Sequence, residues 1–142
     1  MRAANPWKSY RETATLTAPP GQIVLMLYDG AIRSLERSLP GFSNPDPAEA
    51  NMTINNNLQR AHEIIRQLNV SLNMQQGGEV AENLRRLYNY LEHRVLESNV
   101  KKNPTGVGEV IRHITVLRDA WATMLANQAS PVPDNRPALV AA

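Results

Sequence analysis

The spacing of apolar residues between positions 54 and 72 constrains the fold of this 142-residue chain more than any other feature. Apolar residues recur there at alternating intervals of four and three, which is the repeat of a helix that buries a narrow stripe. The stripe consists of Ile54, Leu58, Ala61, Ile65, Leu68 and Leu72. The polar residues of the segment lie outside it and are predicted to face water: Asn55, Gln59, His62, Glu63, Arg66 and Asn69.

Proline and glycine divide the rest of the chain into similar segments. Pro19 and Pro20 suit the first turn of a helix, where the missing N–H group costs nothing; this helix is predicted to stop at Pro40. Asp46 is placed to cap the next helix, and Gly77 with Gly78 breaks the chain before a third. These signals predict helices over about residues 19–39, 47–73, 79–102 and 106–128.

The third and fourth segments carry apolar stripes of their own. The third stripe is Val80, Leu84, Leu87, Leu91 and Val95, and the fourth is Val107, Ile111, Ile114, Leu117, Trp121 and Met124 or Leu125. Amphipathic helices joined by short loops favour antiparallel neighbours. We therefore predict an all-α fold, an antiparallel four-helix bundle that forms one domain over residues 1–128. It begins with a short N-terminal arm at 1–17 and is followed by a disordered proline-rich tail at 129–142.

The first helix is more apolar than one stripe requires, since residues 23–28 are six consecutive apolar residues. Such a helix either lies at the centre of a domain or presents an apolar face to a partner. The other helices each supply a stripe, so the core does not need the whole run. Aromatic residues in the arm and in the third helix add to this surplus, which favours a groove for an amphipathic helix.

Composition excludes several other classes of protein. The chain has no cysteine, so it forms no disulfide and no thiolate metal site. Its net charge is +2 and its basic residues are spread along the sequence, whereas nucleic-acid binders usually carry a basic patch. No apolar run approaches the roughly 18 residues of a membrane span, and we find no secretory signal. We therefore predict a cytoplasmic protein.

Residue patterns typical of catalysis are also missing. A di-iron bundle needs Glu-x-x-His motifs, but the residues three before the histidines are Gln59, Tyr90 and Val110. Glu109 and His113 lie four residues apart, which is typical of a solvated pair on a helix. We predict that the chain is not an enzyme and binds no metal or cofactor.

Several segments, taken in order, resemble the FliS family of flagellin-specific export chaperones. The resemblance covers about residues 5 to 125, from Tyr10 through the segments at 25–32, 61–68, 81–84, 87–90 and 98–99 to 116–121. It implies a small bundle that binds the C-terminal region of flagellin in the cytoplasm. The client would become helical on binding, would be kept from polymerising prematurely, and would be delivered to the type III flagellar export apparatus. No cofactor is implied.

The resemblance also assigns partner-binding residues. Tyr10 corresponds to an arm tyrosine that can occupy the empty groove. The remaining matches are Leu27, Tyr28 and Ile32 in the first helix, Asn83, Leu87 and Tyr90 in the third, and Trp121 in the fourth. The alternative is a structural or signalling bundle that dimerises through its first helix, and a homodimer stays open.

Overall fold

The computed structural model describes residues 20–129, which form α-helices and one short 3₁₀-helix and contain no strand. The helices are α1 (Pro20–Ser38), α2 (Pro47–Val70), α3 (Met74–Lys101) and α4 (Thr105–Ala129), with the 3₁₀-helix Leu39–Ser43 directly after α1. The all-α prediction is confirmed. The predicted arm at 1–17 and the tail from residue 130 lie outside the described residues.

Side-chain caps begin two of the helices. The Asp46 carboxylate accepts hydrogen bonds from the N–H groups of Ala48 at 3.1 Å and Glu49 at 3.4 Å, as the sequence predicted. These bonds satisfy donors that have no partner within the helix. Asn73 caps α3 in the same way, since its side chain accepts from the N–H three residues on at 2.9 Å.

Several helix boundaries differ from the prediction, and α2 ends at Val70 instead of residue 73. After α1 ends at Ser38, the backbone stays helical through Pro40 and forms the 3₁₀-helix. Within it, Gly41 lies so close to α2 that a Cβ atom would be 2.8 Å from Ile54 Cγ1. The third helix begins at Met74 instead of residue 79, because the Asn73 cap supports one extra turn. That turn ends at Gly78, whose φ of 56° and ψ of −133° are non-helical and suit only glycine.

The helices pack as an antiparallel bundle, as predicted. Each helix lies beside its neighbours in sequence, and α4 returns to pack against α1. The start of α1 meets the end of α4, where a Cβ atom on Gly21 would touch Leu125. Near the middle of α1, Gly30 approaches Ile64 of α2. No helix within residues 20–129 is long and apolar enough to cross a membrane.

The core agrees with most of the predicted stripes. All members of the α2 stripe are buried except Leu72, which is half-buried. Val80 is 68% exposed, which corrects its assignment, because it lies only two residues after the break at Gly78. Asn69 is only 7% exposed, so the prediction that it faces water is wrong; its side chain bonds to α3.

Candidate partner-binding surface

The apolar run of α1 does not form an open face. Residues 23–27 are all half-buried, and Tyr28 at the end of the run is only 3% exposed. Val24 and Leu27 pack against the core. Half of the run is therefore used inside the bundle, and α1 offers a partner less apolar surface than its sequence suggests.

Tyr28 is a core residue in this structure. Its hydroxyl lies 2.6 Å from the hydroxyl of Tyr88, which is 2% exposed. Burial raises the pKa of both phenols, because the charged form would lose its hydration. The hydrogen bond joins α1 to α3 through the interior. In this arrangement of the helices Tyr28 fills the core, and its contact with a partner stays a prediction.

The other two assigned residues of α1 lie on different sides of that helix. Leu27 and Ile32 are both half-buried and pack against the core. Five residues separate them, which places them about 140° apart around the helix. Asp29, one turn before Ile32, accepts a hydrogen bond from Arg118 of α4 at 2.8 Å. Leu27 and Ile32 therefore do not form a single patch.

The three assigned residues of α3 do lie together. Asn83, Leu87 and Tyr90 follow one another at intervals of four and three, so they share one side of the helix. That side faces α4, because the Tyr90 hydroxyl donates a hydrogen bond to the Glu109 carboxylate. Arg94, one turn further along, donates to the same carboxylate at 2.7 Å.

The residues opposite them on α4 complete a surface that we call the α3–α4 groove. It consists of Asn83, Leu87, Tyr90, Glu109 and Val116. Val116 lies seven residues after Glu109, so it is on the same side of α4, level with Asn83 of the antiparallel α3. Val116 is 68% exposed and Tyr90 43%, while Leu87 packs against the core. The groove thus has an apolar part at Leu87 and Val116.

The sequence did not single out Val116 as part of a site. The available signal was its position, because it is an apolar residue outside the α4 stripe. An apolar residue on a polar face is common in soluble proteins. Val116 becomes a candidate site residue only because the fold places it beside α3.

The other end of the groove is polar. Hydrogen bonds from Tyr90 and Arg94 hold the pKa of Glu109 below its usual range. Arg94 also binds Glu97 at 2.9 Å, and His113 Nε2 lies 3.9 Å from Glu109. No group of three or more acidic or histidine side chains within residues 20–129 is arranged to hold a metal ion. These contacts give the groove a direction, apolar at one end and charged at the other.

Trp121 lies near the groove but is turned toward α1. Its side chain is half-buried, and its indole Nε1 donates a hydrogen bond to the carbonyl oxygen of Gly21 at 2.8 Å. This bond attaches the end of α4 to the start of α1. Tyr10, the remaining assigned residue, lies outside the described residues.

Comparisons with known proteins identify one family. The family model described as "Flagellar protein FliS" matches residues 3–128. The chain is 30% identical over 128 residues to the flagellar secretion chaperone FliS of Bacillus subtilis, covering 90% of this chain and 92% of that protein. It is 32% identical to the Salmonella typhimurium protein of that name over 78% of this chain and 79% of the relative. For the Vibrio cholerae protein the identity is 33%, over 73% and 74%.

Proposed function

This chain belongs to the FliS family of flagellar proteins, and we propose from that premise that it binds the C-terminal region of flagellin in the cytoplasm. It is a flagellar secretion chaperone, and therefore a binding protein and not an enzyme. In this proposal the bound flagellin cannot polymerise prematurely and reaches the type III export apparatus for filament assembly. The observation that carries the proposal is the family match over residues 3–128.

The α3–α4 groove supports the proposal and suggests where the client lies. A segment that folds on binding loses conformational entropy, and burial of apolar surface must offset that loss. An amphipathic helix lying along the groove would cover Leu87, Tyr90 and Val116 with its apolar face. The charged end at Arg94 and Glu109 would then orient the client. Leu27, Ile32 and Trp121 lie outside this groove and stay predicted contacts of other parts of the client.

The binding itself is tested by mixing the purified protein with the C-terminal segment of flagellin. We expect the two to elute together in gel filtration, and the circular dichroism of the mixture to exceed the sum of the separate spectra in helical signal. If the segment neither elutes with the protein nor gains helix, the proposed function is wrong.

The position of the client is tested with two matched valine variants. Val116→Asp places a charge in the groove and is expected to weaken binding at least about tenfold, which corresponds to about 1.4 kcal/mol. Val100→Asp is the control, because Val100 is 78% exposed and lies on the outer side of α3. Both side chains are exposed, so melting curves should stay close to that of the parent protein. Equal affinities would exclude the groove as the client site and leave the chaperone function standing.

The sequence-based alternative was a structural or signalling bundle that dimerises through its first helix. The half-burial of residues 23–27 gives this alternative no support. A homodimer stays a prediction that light scattering over a range of protein concentrations would test.

A further inference from the structure

Polar contacts at regular intervals join α2 to α3 beside the apolar stripes of the two helices. There are three of these contacts within residues 20–129. In the first, a side-chain amide donates to a side-chain amide; in the second, an imidazole faces a carboxylate; in the third, a guanidinium donates to a backbone carbonyl. We call them the polar rungs. They are Asn99 to Asn55 at 3.0 Å, His62 with Glu92 at 3.6 Å, and Arg85 to the carbonyl oxygen of Asn69 at 3.1 Å.

The rungs repeat every seven residues on both helices. On α2 they fall at positions 55, 62 and 69, and on α3 at positions 99, 92 and 85. Seven residues are close to two turns, so the rungs follow one line along an antiparallel pair. The Asn69 side chain also donates to Glu92 at 2.9 Å, which connects the second rung to the third.

The buried residues of the same helices repeat with the same period. This matters because a shift of α3 along α2 by seven residues, about 10 Å, would again place buried positions against buried positions. The repeating sets are Ile54, Ala61 and Leu68 on α2, and Ala81, Tyr88 and Val95 with Leu91, Ser98 and the half-buried Leu84 on α3. Apolar periodicity alone therefore leaves the register of the two helices open.

The connection between α2 and α3 also does not fix the register of the two helices. In the observed register, His62 and Glu92 are equally distant from residue 77, which is the midpoint of the pair. A shift by seven residues in one direction would move the midpoint to between residues 73 and 74. The chain already turns at 71–73, so this slipped register needs no longer loop. The opposite shift would place the turn at residues 80 and 81, which lie within the continuous helix that follows Gly78.

The rungs distinguish the two registers by charge and hydrogen bonding. After the slip His62 would face Arg85 and lose Glu92, and Asn69 would face Gly78. Glu92 would face Asn55, and Asn99 would be left without its partner. Polar groups that lose their partners in a partly buried interface cost free energy. We propose that the polar rungs select the observed register of α3 on α2 against a slip of seven residues.

The register also decides where the α3–α4 groove forms. Leu87 and Tyr90 belong to α3, so a slip of α3 would carry them about 10 Å along the bundle. The inference does not depend on the identity of the client, because it concerns only contacts within this chain.

Disulfide trapping can measure the register, because the chain has no cysteine of its own. Gln59 and Leu96 line the same cavity of about 230 Å³ between α2 and α3, so the pair Gln59→Cys with Leu96→Cys reports the observed register. In the slipped register Met52 takes the place of Gln59, so Met52→Cys with Leu96→Cys reports the slip. With the rungs intact, we expect the first pair to link at least tenfold faster than the second.

An exchange of the middle rung should change this ratio. The double variant His62→Glu with Glu92→His keeps a carboxylate and an imidazole opposed in the observed register. In the slipped register it places the new carboxylate opposite Arg85, and it also removes the bond from Asn69 to Glu92. We expect the Met52→Cys pair to link at least tenfold faster in this background. The matched control is Glu63→His with His93→Glu, an exchange of the same residue types at exposed positions off the rungs, and it should change nothing.

Three outcomes would overturn the proposal. The first is a middle-rung exchange that keeps the helical spectrum and links like the control. If that variant loses its helical spectrum, the double variant Asn55→Leu with Asn99→Leu replaces it, because it removes one rung and changes no charge. The second outcome is that the linking rates of the two cysteine pairs keep the same ratio in this variant. The third outcome is that Tyr88→Phe speeds linking of the Met52→Cys pair while neither rung variant does so. The contact of Tyr88 with Tyr28, and not the rungs, would then determine the register.

Discussion

Tyr28 and Tyr88 bring two hydroxyl groups into the hydrophobic core cluster, and each provides the other's hydrogen-bond partner. A buried hydroxyl without a partner costs about 1–3 kcal/mol, so neither residue is replaced without consequence for the other. The sequence could not distinguish this role from partner binding, since a tyrosine within an apolar run is compatible with both. The decisive fact is that α3 places a second hydroxyl at the right distance.

This pair should make the protein sensitive to alkaline pH. A tyrosine ionises near 10.0 when unperturbed, and burial raises the pKa of both residues in the folded state. Their contribution to the free energy of unfolding is therefore fully present below pH 10 and is lost above it, as the unfolded chain ionises first. We expect urea-unfolding curves between pH 8 and about 11 to show this loss. Tyr28→Phe with Tyr88→Phe should reduce the slope; an unchanged slope would mean that other groups cause it.

At the level of elements, residues near the start of a helix indicate where it begins, but the sequence indicates only part of the face that each helix buries. The cap at Asp46 could be read directly, because an acidic residue before Pro47 satisfies N–H groups of its own helix. The start of α3 was missed by five residues, since Asn73 caps a turn that the following glycines seemed to forbid. Val80 lies outside the core because the chain changes direction at Gly78.

The cap at Asp46 should contribute measurably to stability. Asp46→Ala removes the acceptor for two N–H groups at the start of α2 and is expected to lower the free energy of unfolding by about 1 kcal/mol. Asp46→Asn is the control, because the amide oxygen can still accept these bonds. Urea unfolding at neutral pH measures both. A loss as large in the asparagine variant would show that charge, and not the cap geometry, is responsible.

At the scale of the whole molecule, one core unites the described helices. Buried residues of all four α-helices belong to a single cluster, and α4 is tied back to α1 by the bonds of Trp121 and Arg118. The antiparallel order of the bundle was predictable from short connections. The α3–α4 groove was predictable only in part, because Asn83, Leu87 and Tyr90 are periodic within α3 but Val116 comes from another helix.

A shortened chain should test whether this core is sufficient. We expect a protein of residues 20–129 to unfold in one cooperative transition, with a midpoint in urea close to that of the full chain, because all four helices contribute buried residues to one core cluster within this range. Circular dichroism and tryptophan fluorescence should give the same curve. Two separate transitions, or a chain without helical signal, would show that the arm at 1–17 or the tail belongs to the cooperative unit.

The sequence by itself determined the all-α class, the number and order of the helices, the cap at Asp46 and the break at Gly78, because these depend on residues close together in the chain. It also determined the stripe from Ile54 to Leu68, since one buried face repeats with the helical period. Only the tertiary structure decided that Tyr28 is internal, that Asn69 bonds across to α3, and that Val116 borders a groove. These facts depend on which helix lies opposite and in which register. A repeat of seven residues satisfies several registers equally well, so the specific polar contacts between helices distinguish among them.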